Sequence, residues 1–305
     1  MADKQIHRIK TITEYHRLRG LPKPEHPLIS LVNYEDIRQS PENNNISWIC
    51  DFYSIAMKRN LNAKFKYGQQ DYDFDEGTMF FIAPGQVFKI EINPDIAHKK
   101  SGWILLIHPD FLWDMSLAKT IKGYDYFGYS VREALFLSNK EELIISGIMQ
   151  NIQQEYHVNI DKFSQQIIVS QIEVLLNYGE RFYHRQFLTR KMVNHQILDQ
   201  LEAILESHFN GHPINKGLPS VHAIAEQLNL SPDYLSTLLK VTTGQNTQQH
   251  IHEKLIEKAK EKLSATNLSI SEIAYELGFE HSQSFSKLFK TKTNLSPMEF
   301  RQSFN

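Results

Sequence analysis

The spacing of apolar and polar positions changes period along this 305-residue chain. From about residue 29 to 108 the period is two. Ile46, Trp48, Cys50 and Phe52 alternate with Ser47, Ile49 and Asp51, and Ala63, Phe65 and Tyr67 alternate with Lys64 and Lys66. Side chains leave a strand on opposite faces in turn, so this pattern predicts half-buried strands. Residues 78–83 add a short apolar run between the turn signals Asp75-Glu76-Gly77 and Pro84-Gly85. Short strands divided by turns predict a barrel or sandwich. Before them, residues 1–28 read as an arm: Thr13 caps a short helix ending near Gly20, and Pro22, Pro24 and Pro27 exclude regular structure. After His108-Pro109-Asp110 the period becomes helical, over 110–121, 140–157 and 161–184. In the last of these, Phe163, Ile167, Ser170/Gln171, Val174 and Tyr178 share one face, with Ile168, Ile172 and Leu175 beside it. The basic, polar stretch 183–191 reads as a linker. From 194 onward the chain reads as helices, broken at 211–219.

The helical end contains an internal repeat. Ile224-Ala225-Glu226-Gln227-Leu228 and then Leu235-Ser236-Thr237-Leu238-Leu239-Lys240 return as Ile273-Ala274-Tyr275-Glu276-Leu277 and then Phe285-Ser286-Lys287-Leu288-Phe289-Lys290. Ser231, Pro232 and Asp233 have the chemistry of a helix start. Ser269 and Glu272 have capping-box spacing, and Gly278 ends its helix where a left-handed residue is needed. Each copy is thus a short helix, a tight turn and a second helix, the plan that places its second helix in the DNA major groove. Between the copies, Ile251, Leu255, Ala259 and Leu263 form one apolar stripe on a helix over residues 247–263, a rod of roughly 25 Å.

The runs Ile270-Ser271-Glu272-Ile273-Ala274-Tyr275-Glu276-Leu277-Gly278-Phe279, Ser284-Phe285-Ser286-Lys287-Leu288-Phe289-Lys290 and Leu295-Ser296-Pro297-Met298-Glu299-Phe300-Arg301 resemble the C-terminal signature of AraC/XylS regulators. The resemblance covers about residues 195–305. Asn294 stands where the family usually has glycine, and Leu255 where an arginine is common. Asparagine tolerates the left-handed conformation, so the turn is expected to survive. The β-rich half followed by helices, with the run Phe74–Gly85, resembles less specifically the family's sensor half. The resemblance implies an α+β protein: an arm (1–28), a cupin-like β-barrel with dimerisation helices (29–185), and an all-α DNA-binding domain with two helix-turn-helix units (190–305). Double-stranded promoter DNA is the implied partner, with a small-molecule effector, RNA polymerase and a second copy of the chain as further candidates.

Charge complicates this picture. The formal net charge is −2, and residues 211–305 hold ten Lys/Arg against nine Asp/Glu. The charges are nevertheless segregated: Lys287, Lys290 and Lys292 lie on or just beyond the second recognition helix, whereas Glu253, Glu257 and Glu261 share the rod with Lys254, Lys258 and Lys262. Local field outweighs the total. The family's base-reading positions fall on Asp233, Ser236 and Thr237 in copy one and on Ser282, Gln283 and Lys287 in copy two. Gln can bond adenine and Lys guanine in the major groove, whereas Asp233 either accepts from cytosine or caps its own helix. Lys240, Lys290, Lys292 and Arg301 are candidates for the DNA backbone.

Trp48, Phe52, Tyr53, Phe65 and Tyr67 are candidates for an effector pocket, or else core; helix 161–184 is the candidate dimer surface, or else a core helix. Catalysis is not expected. The barrel region offers only His98 and His108, on separate segments, and Cys50 cannot supply a multi-cysteine metal site. No hydrolase, zincin or phosphate-loop motif occurs, so no metal and no cofactor is expected. The rival readings are a cupin-type metal enzyme with a helical appendage, and a regulator whose N-terminal half only dimerises or docks a partner. A lone cysteine, no apolar leader and no long apolar run lead to the expectation of a cytoplasmic protein without a membrane span.

Overall fold

Alternation builds the strands of the first unit in a computed structural model that describes residues 6–38, 47–59, 65–67, 70–72, 77–89, 101–130, 133–158, 162–189, 191–210 and 217–303. The chain divides into two compact units, Met1–Thr189 and Arg190–Asn305. In the first, β1 (Ile6–Ile9) runs parallel to β3 (Ser47–Cys50), which pairs antiparallel with β8 (Val87–Lys89). A second sheet has the order β10 (Leu135–Phe136), β7 (Thr78–Ile82), β4 (Tyr53–Arg59), β9 (Ser101–Ile107), β2 (Ile29–Asn33), all antiparallel. β5 (Phe65–Tyr67) and β6 (Gln70–Tyr72) form a separate hairpin. The two larger sheets share one core: Ile9, Trp48 and Cys50 from the first meet Val32, Ala56, Phe80, Ile104 and Leu106 from the second. Among the described residues no ladder closes these sheets into a barrel.

The arm is part of this core. Thr11, not Thr13, caps α1 (Ile12–Leu18) by accepting from the Glu14 amide, and Ile9, Ile12 and Tyr15 are buried. The stretch from Leu21 to Leu28 has no regular structure, as its prolines require. The helix expected over 110–121 is broken: a 3-10 turn at Pro109–Leu112 is followed by Asp114 at φ +64° and only then by α2 (Leu117–Thr120). A non-glycine residue at positive φ cannot continue a right-handed helix. α3 (Asn139–Tyr156) starts on a capping box between Ser138 and Glu141, and α4 spans Lys162–Thr189.

The expected linker at 183–191 is instead the last part of α4 as far as Thr189. Tyr183 and Phe187 are buried, and Gln186 accepts from the Phe136 amide (2.9 Å) while donating to the Ala134 carbonyl (3.1 Å). Arg185 pairs with Glu141 at 2.6 Å and donates to the Phe136 carbonyl. A polar, basic composition hid residues whose polar groups are used to fasten the helix to β10.

The second unit is helical: α5 (Lys191–Asn210), α6 (Val221–Gln227), α7 (Pro232–Thr243), α8 (Thr247–Ala265), α9 (Ile270–Glu276), α10 (Ser282–Thr293) and α11 (Pro297–Gln302). α8 packs against α5, α7, α9 and α11, burying Ile251, Leu255, Ile256, Ala259 and Leu263. Nineteen residues make it a rod of about 28 Å. The break expected at 211–219 lies mostly outside the described residues.

Candidate nucleic-acid interface

The two helix pairs are built by the same local chemistry. Ser231 accepts from the Tyr234 amide to start α7, and Ser269 and Glu272 form the complete capping box of α9. Between the helices of each pair the chain makes a left-handed turn, at Asn229 (φ +56°) in the first copy and at Gly278 (φ +90°) in the second. The Leu230 amide then reaches back to the Ala225 carbonyl, and the Phe279 amide to that of Ala274. At Gly278 glycine is also required for space: an added Cβ would stand 2.6 Å from the Gly217 carbonyl oxygen. α7 and α10 end alike, with Gly244 at φ +82° and Asn294 at φ +63°, so asparagine does hold the turn where glycine is usual.

Each second helix is buried on one side. Tyr234, Leu235, Leu238 and Leu239 are buried in α7, and Phe285 and Phe289 in α10; Leu288 is half-buried. The outer side repeats at an offset of fifty residues: Asp233, Thr237 and Lys240 on α7 correspond to Gln283, Lys287 and Lys290 on α10. Spacings of four and three put each trio on one helix face. Asp233, Lys240, Gln283, Lys287, Lys290 and Lys292 are exposed, and Thr237 and Ser282 are half-buried.

Two of the expected contacts lie elsewhere. Ser236 is half-buried, and its Oγ lies 3.0 Å from the Oγ1 of fully buried Thr247 at the start of α8; it joins α7 to the rod. Arg301 donates to the carbonyls of Leu263 (3.3 Å) and Leu268 (2.7 Å), so its guanidinium ties α11 to the end of α8 instead of facing solvent. Leu255 is fully buried, which leaves that position no route to a phosphate.

The electrostatic separation is sharper than sequence shows. On α8 every lysine but Lys260 is paired: Lys254 and Lys258 share Glu206 of α5 at 2.7 and 2.8 Å and also meet Glu257 and Glu261, and Lys262 pairs with Glu276 at 2.7 Å. The two lysines hold the Glu206 carboxyl down at about 2. By contrast Lys240, Lys287, Lys290 and Lys292 form no ion pair among the described residues. Their charge remains available to a polyanion. Burial lowers the pKa of both His250 and His252, and Lys292 lowers His252 further.

The aromatic residues expected to line an effector pocket do not converge. Trp48 and Phe52 are packed in the shared core with Tyr15. Tyr53 faces the other side of β4, against Phe127, and borders an open groove of 840 Å³ with Leu112, Trp113 and Lys122. The side chains of Phe65 and Tyr67, and the whole of His98, lie outside the described residues. No group of three or more His, Cys, Asp or Glu is placed to hold a metal among the described residues, and no described helix is long and apolar enough to cross a membrane. His208 is used structurally, against the Gly217 carbonyl at 3.0 Å.

The chain is similar to known regulators of transcription. A model of a helix-turn-helix domain matches residues 224–303. The HTH-type transcriptional activator RhaS of Salmonella schwarzengrund (strain CVM19633) is 34% identical over 255 residues, covering 83% of this chain and 86% of its own. Among solved structures, the C-terminal domain of the response regulator yesN from Fusobacterium nucleatum is 30% identical, covering 34% of this chain and 95% of its own, with a TM-score of 0.31. The C-terminal domain of AraT, a response regulator from Geobacillus stearothermophilus, is 31% identical, covering 35% of this chain and 84% of its own, with a TM-score of 0.32. The relatives are transcriptional regulators and not enzymes. With two helix-turn-helix pairs on one rod, and a relative of this identity along most of its length, the chain belongs to the AraC/XylS family of DNA-binding transcription regulators.

Proposed function

We propose that α7 and α10 enter successive major-groove faces of promoter DNA, and that the N-terminal half senses a small molecule and joins two chains. The repeated outer face, Asp233/Thr237/Lys240 and Gln283/Lys287/Lys290, carries the reading. A rod of about 28 Å plus the flanking turns matches the roughly 34 Å spacing of one helical turn of DNA. Gln283 is suited to adenine and Lys287 to guanine, while Thr237 and Ser282 supply shorter hydrogen-bonding groups. Asp233 either reads a cytosine amine or serves its own helix start. Lys240, Lys290 and Lys292 meet phosphates.

The sensor reading rests on two sheets packed around one aromatic core, an arrangement compatible with a cupin-like domain. The dimer reading rests on α4, where Phe163, Ile167 and Val174 are exposed along one stripe while Ile168, Ile172 and Leu175 are buried. An apolar stripe of this kind is suited to a second copy of itself. RNA polymerase is the partner a promoter-bound regulator would meet, and the cytoplasm its compartment. The test is gel retardation with residues 190–305 expressed separately. We expect a folded fragment that prefers the promoter beside its own gene to random DNA at low salt; a folded fragment without that preference contradicts the reading.

A further inference from the structure

The core shared by the two sheets borders a buried cation that has no anionic partner among the described residues. Arg19, one residue beyond α1, is 6% exposed, and its Nε has no hydrogen-bond partner. Its guanidinium carbon lies 5.3 Å from the Trp48 ring centre and 5.6 Å from that of Tyr15. Trp48 is 1% exposed, and its indole Nε1 is likewise buried without a partner. Two orphaned donors are therefore neighbours in one cluster. A third, Trp103 Nε1, belongs to β9 at a position alternating with Ile104 and Leu106, which face this core, so it points elsewhere. Nearby acids are committed outside: Asp51 pairs with Arg8 at 2.9 Å, and Glu14 accepts from the Lys10 amide at 3.0 Å. A second cation borders the same core: the Lys58 ammonium stands 4.9 Å from the ring centres of both Tyr34 and Phe80, with no carboxylate partner among the described residues.

Ring faces attract a cation but do not replace its hydration. Buried donors are almost always paired, so two that the chain itself does not pair, beside a buried positive charge, are suited to an acceptor from outside the chain. A single carboxylate has two oxygens and can accept from both, with charge-assisted strength from the guanidinium. We infer that the core between the sheets binds a small molecule through its carboxylate, with Arg19 Nε and Trp48 Nε1 as the donors, Tyr15 and Tyr34 as walls, and Lys58 as a second positive charge. This inference rests on the sensor reading and names the chemical class of the effector.

The test uses the full chain with nitrogen-15 in its three indoles, the Trp48 signal being assigned by its loss in Trp48→Phe. Galacturonate, gluconate and benzoate are titrated beside their neutral counterparts galactose, glucitol and benzyl alcohol. At least one carboxylate is expected to shift the Trp48 indole signal saturably while its neutral counterpart does not. Arg19→Gln then weakens that binding roughly tenfold or more, as loss of a charged hydrogen bond requires. Arg19→Met, which keeps the apolar stem but removes the unpaired charge, is expected to melt no lower than the parent. A neutral compound that shifts the signal when its carboxylate does not overturns the anion assignment and leaves the sensor reading standing. A Trp48 signal unmoved by all six compounds, or an Arg19→Met chain that melts well below the parent, overturns the proposal; the sensor reading is then decided separately by a broad thermal-shift screen.

Discussion

Gln283, Lys290 and Arg301 are close in sequence, and three different roles are proposed for them. Gln283 is exposed on the outer face of α10, so Gln283→Ala should relax base preference at one or two adjacent positions at a cost of about 1–3 kcal/mol in binding. Lys290 has the same exposure and no ion pair among the described residues. Lys290→Ala should weaken all sequences alike and reduce the salt slope of binding by about 1. Arg301 looks equivalent to Lys290 in a list of basic residues, but its donors close the Leu263 and Leu268 carbonyls. Arg301→Ala should therefore lower stability by about 1–3 kcal/mol in denaturant titrations, with the salt slope unchanged. A changed slope with unchanged stability would return Arg301 to the DNA backbone. The difference was not legible in sequence, because spacing gives the face of a residue but not the carbonyls of another helix 38 residues earlier. The bond from Ser236 to Thr247 is hidden from the sequence for the same reason, because Thr247 belongs to the next helix.

At the scale of elements, the rod α8 is held by apolar packing on one side and by ion pairs with α5 and α9. Leu255→Ala should cost about 2–5 kcal/mol, the range for emptying a buried leucine site. The ion pairs give a pH dependence with a definite sign. Glu206 falls from about 4.5 to about 2 in the folded chain because Lys254 and Lys258 bond its carboxylate. Its contribution is present above pH 4.5 and is lost as the pH drops toward 2. Glu272 and Glu299 are lowered in the same direction by Ser269 and Ser296 of their capping boxes. The melting temperature of residues 190–305 should fall through this window, and Glu206→Gln should flatten the fall. An equally steep profile in that variant would remove Glu206 as a cause. Helices with their own punctuation were legible in advance, as Ser231, Ser269 with Glu272, and Gly278 show. The helix expected over 110–121 was not, because its interruption depends on a left-handed Asp114 that no glycine or proline announces. Asn229 is left-handed like Gly278, with which the repeat aligns it.

For the whole molecule, the arm and the helix end at 183–189 show where sequence reading fails. Proline and charge mark both as peripheral, yet Ile9, Ile12, Tyr15, Tyr183 and Phe187 are buried in the first unit. Their partners, such as Phe52 for Tyr15 and Tyr129 for Tyr183 and Phe187, lie far away in sequence, where local pattern does not reach. The repeat, by contrast, identified the DNA-binding unit because each copy carries its helix starts and turns within about 20 residues. If α4 joins two chains, Ile167→Glu should convert a dimer to a monomer in sedimentation while leaving the melting temperature nearly unchanged, since Ile167 is 47% exposed. A variant that stays dimeric places the interface elsewhere. In the proposed mode of binding, α7 and α10 read separate parts of one half-site. Binding-site selection on the parent chain, Thr237→Ala and Gln283→Ala measures this directly. The two variants are expected to lose preference at positions about ten base pairs apart, one helical turn of DNA, each leaving the other's positions intact. Loss at the same base pairs in both variants, or at none in either, would contradict that mode of binding.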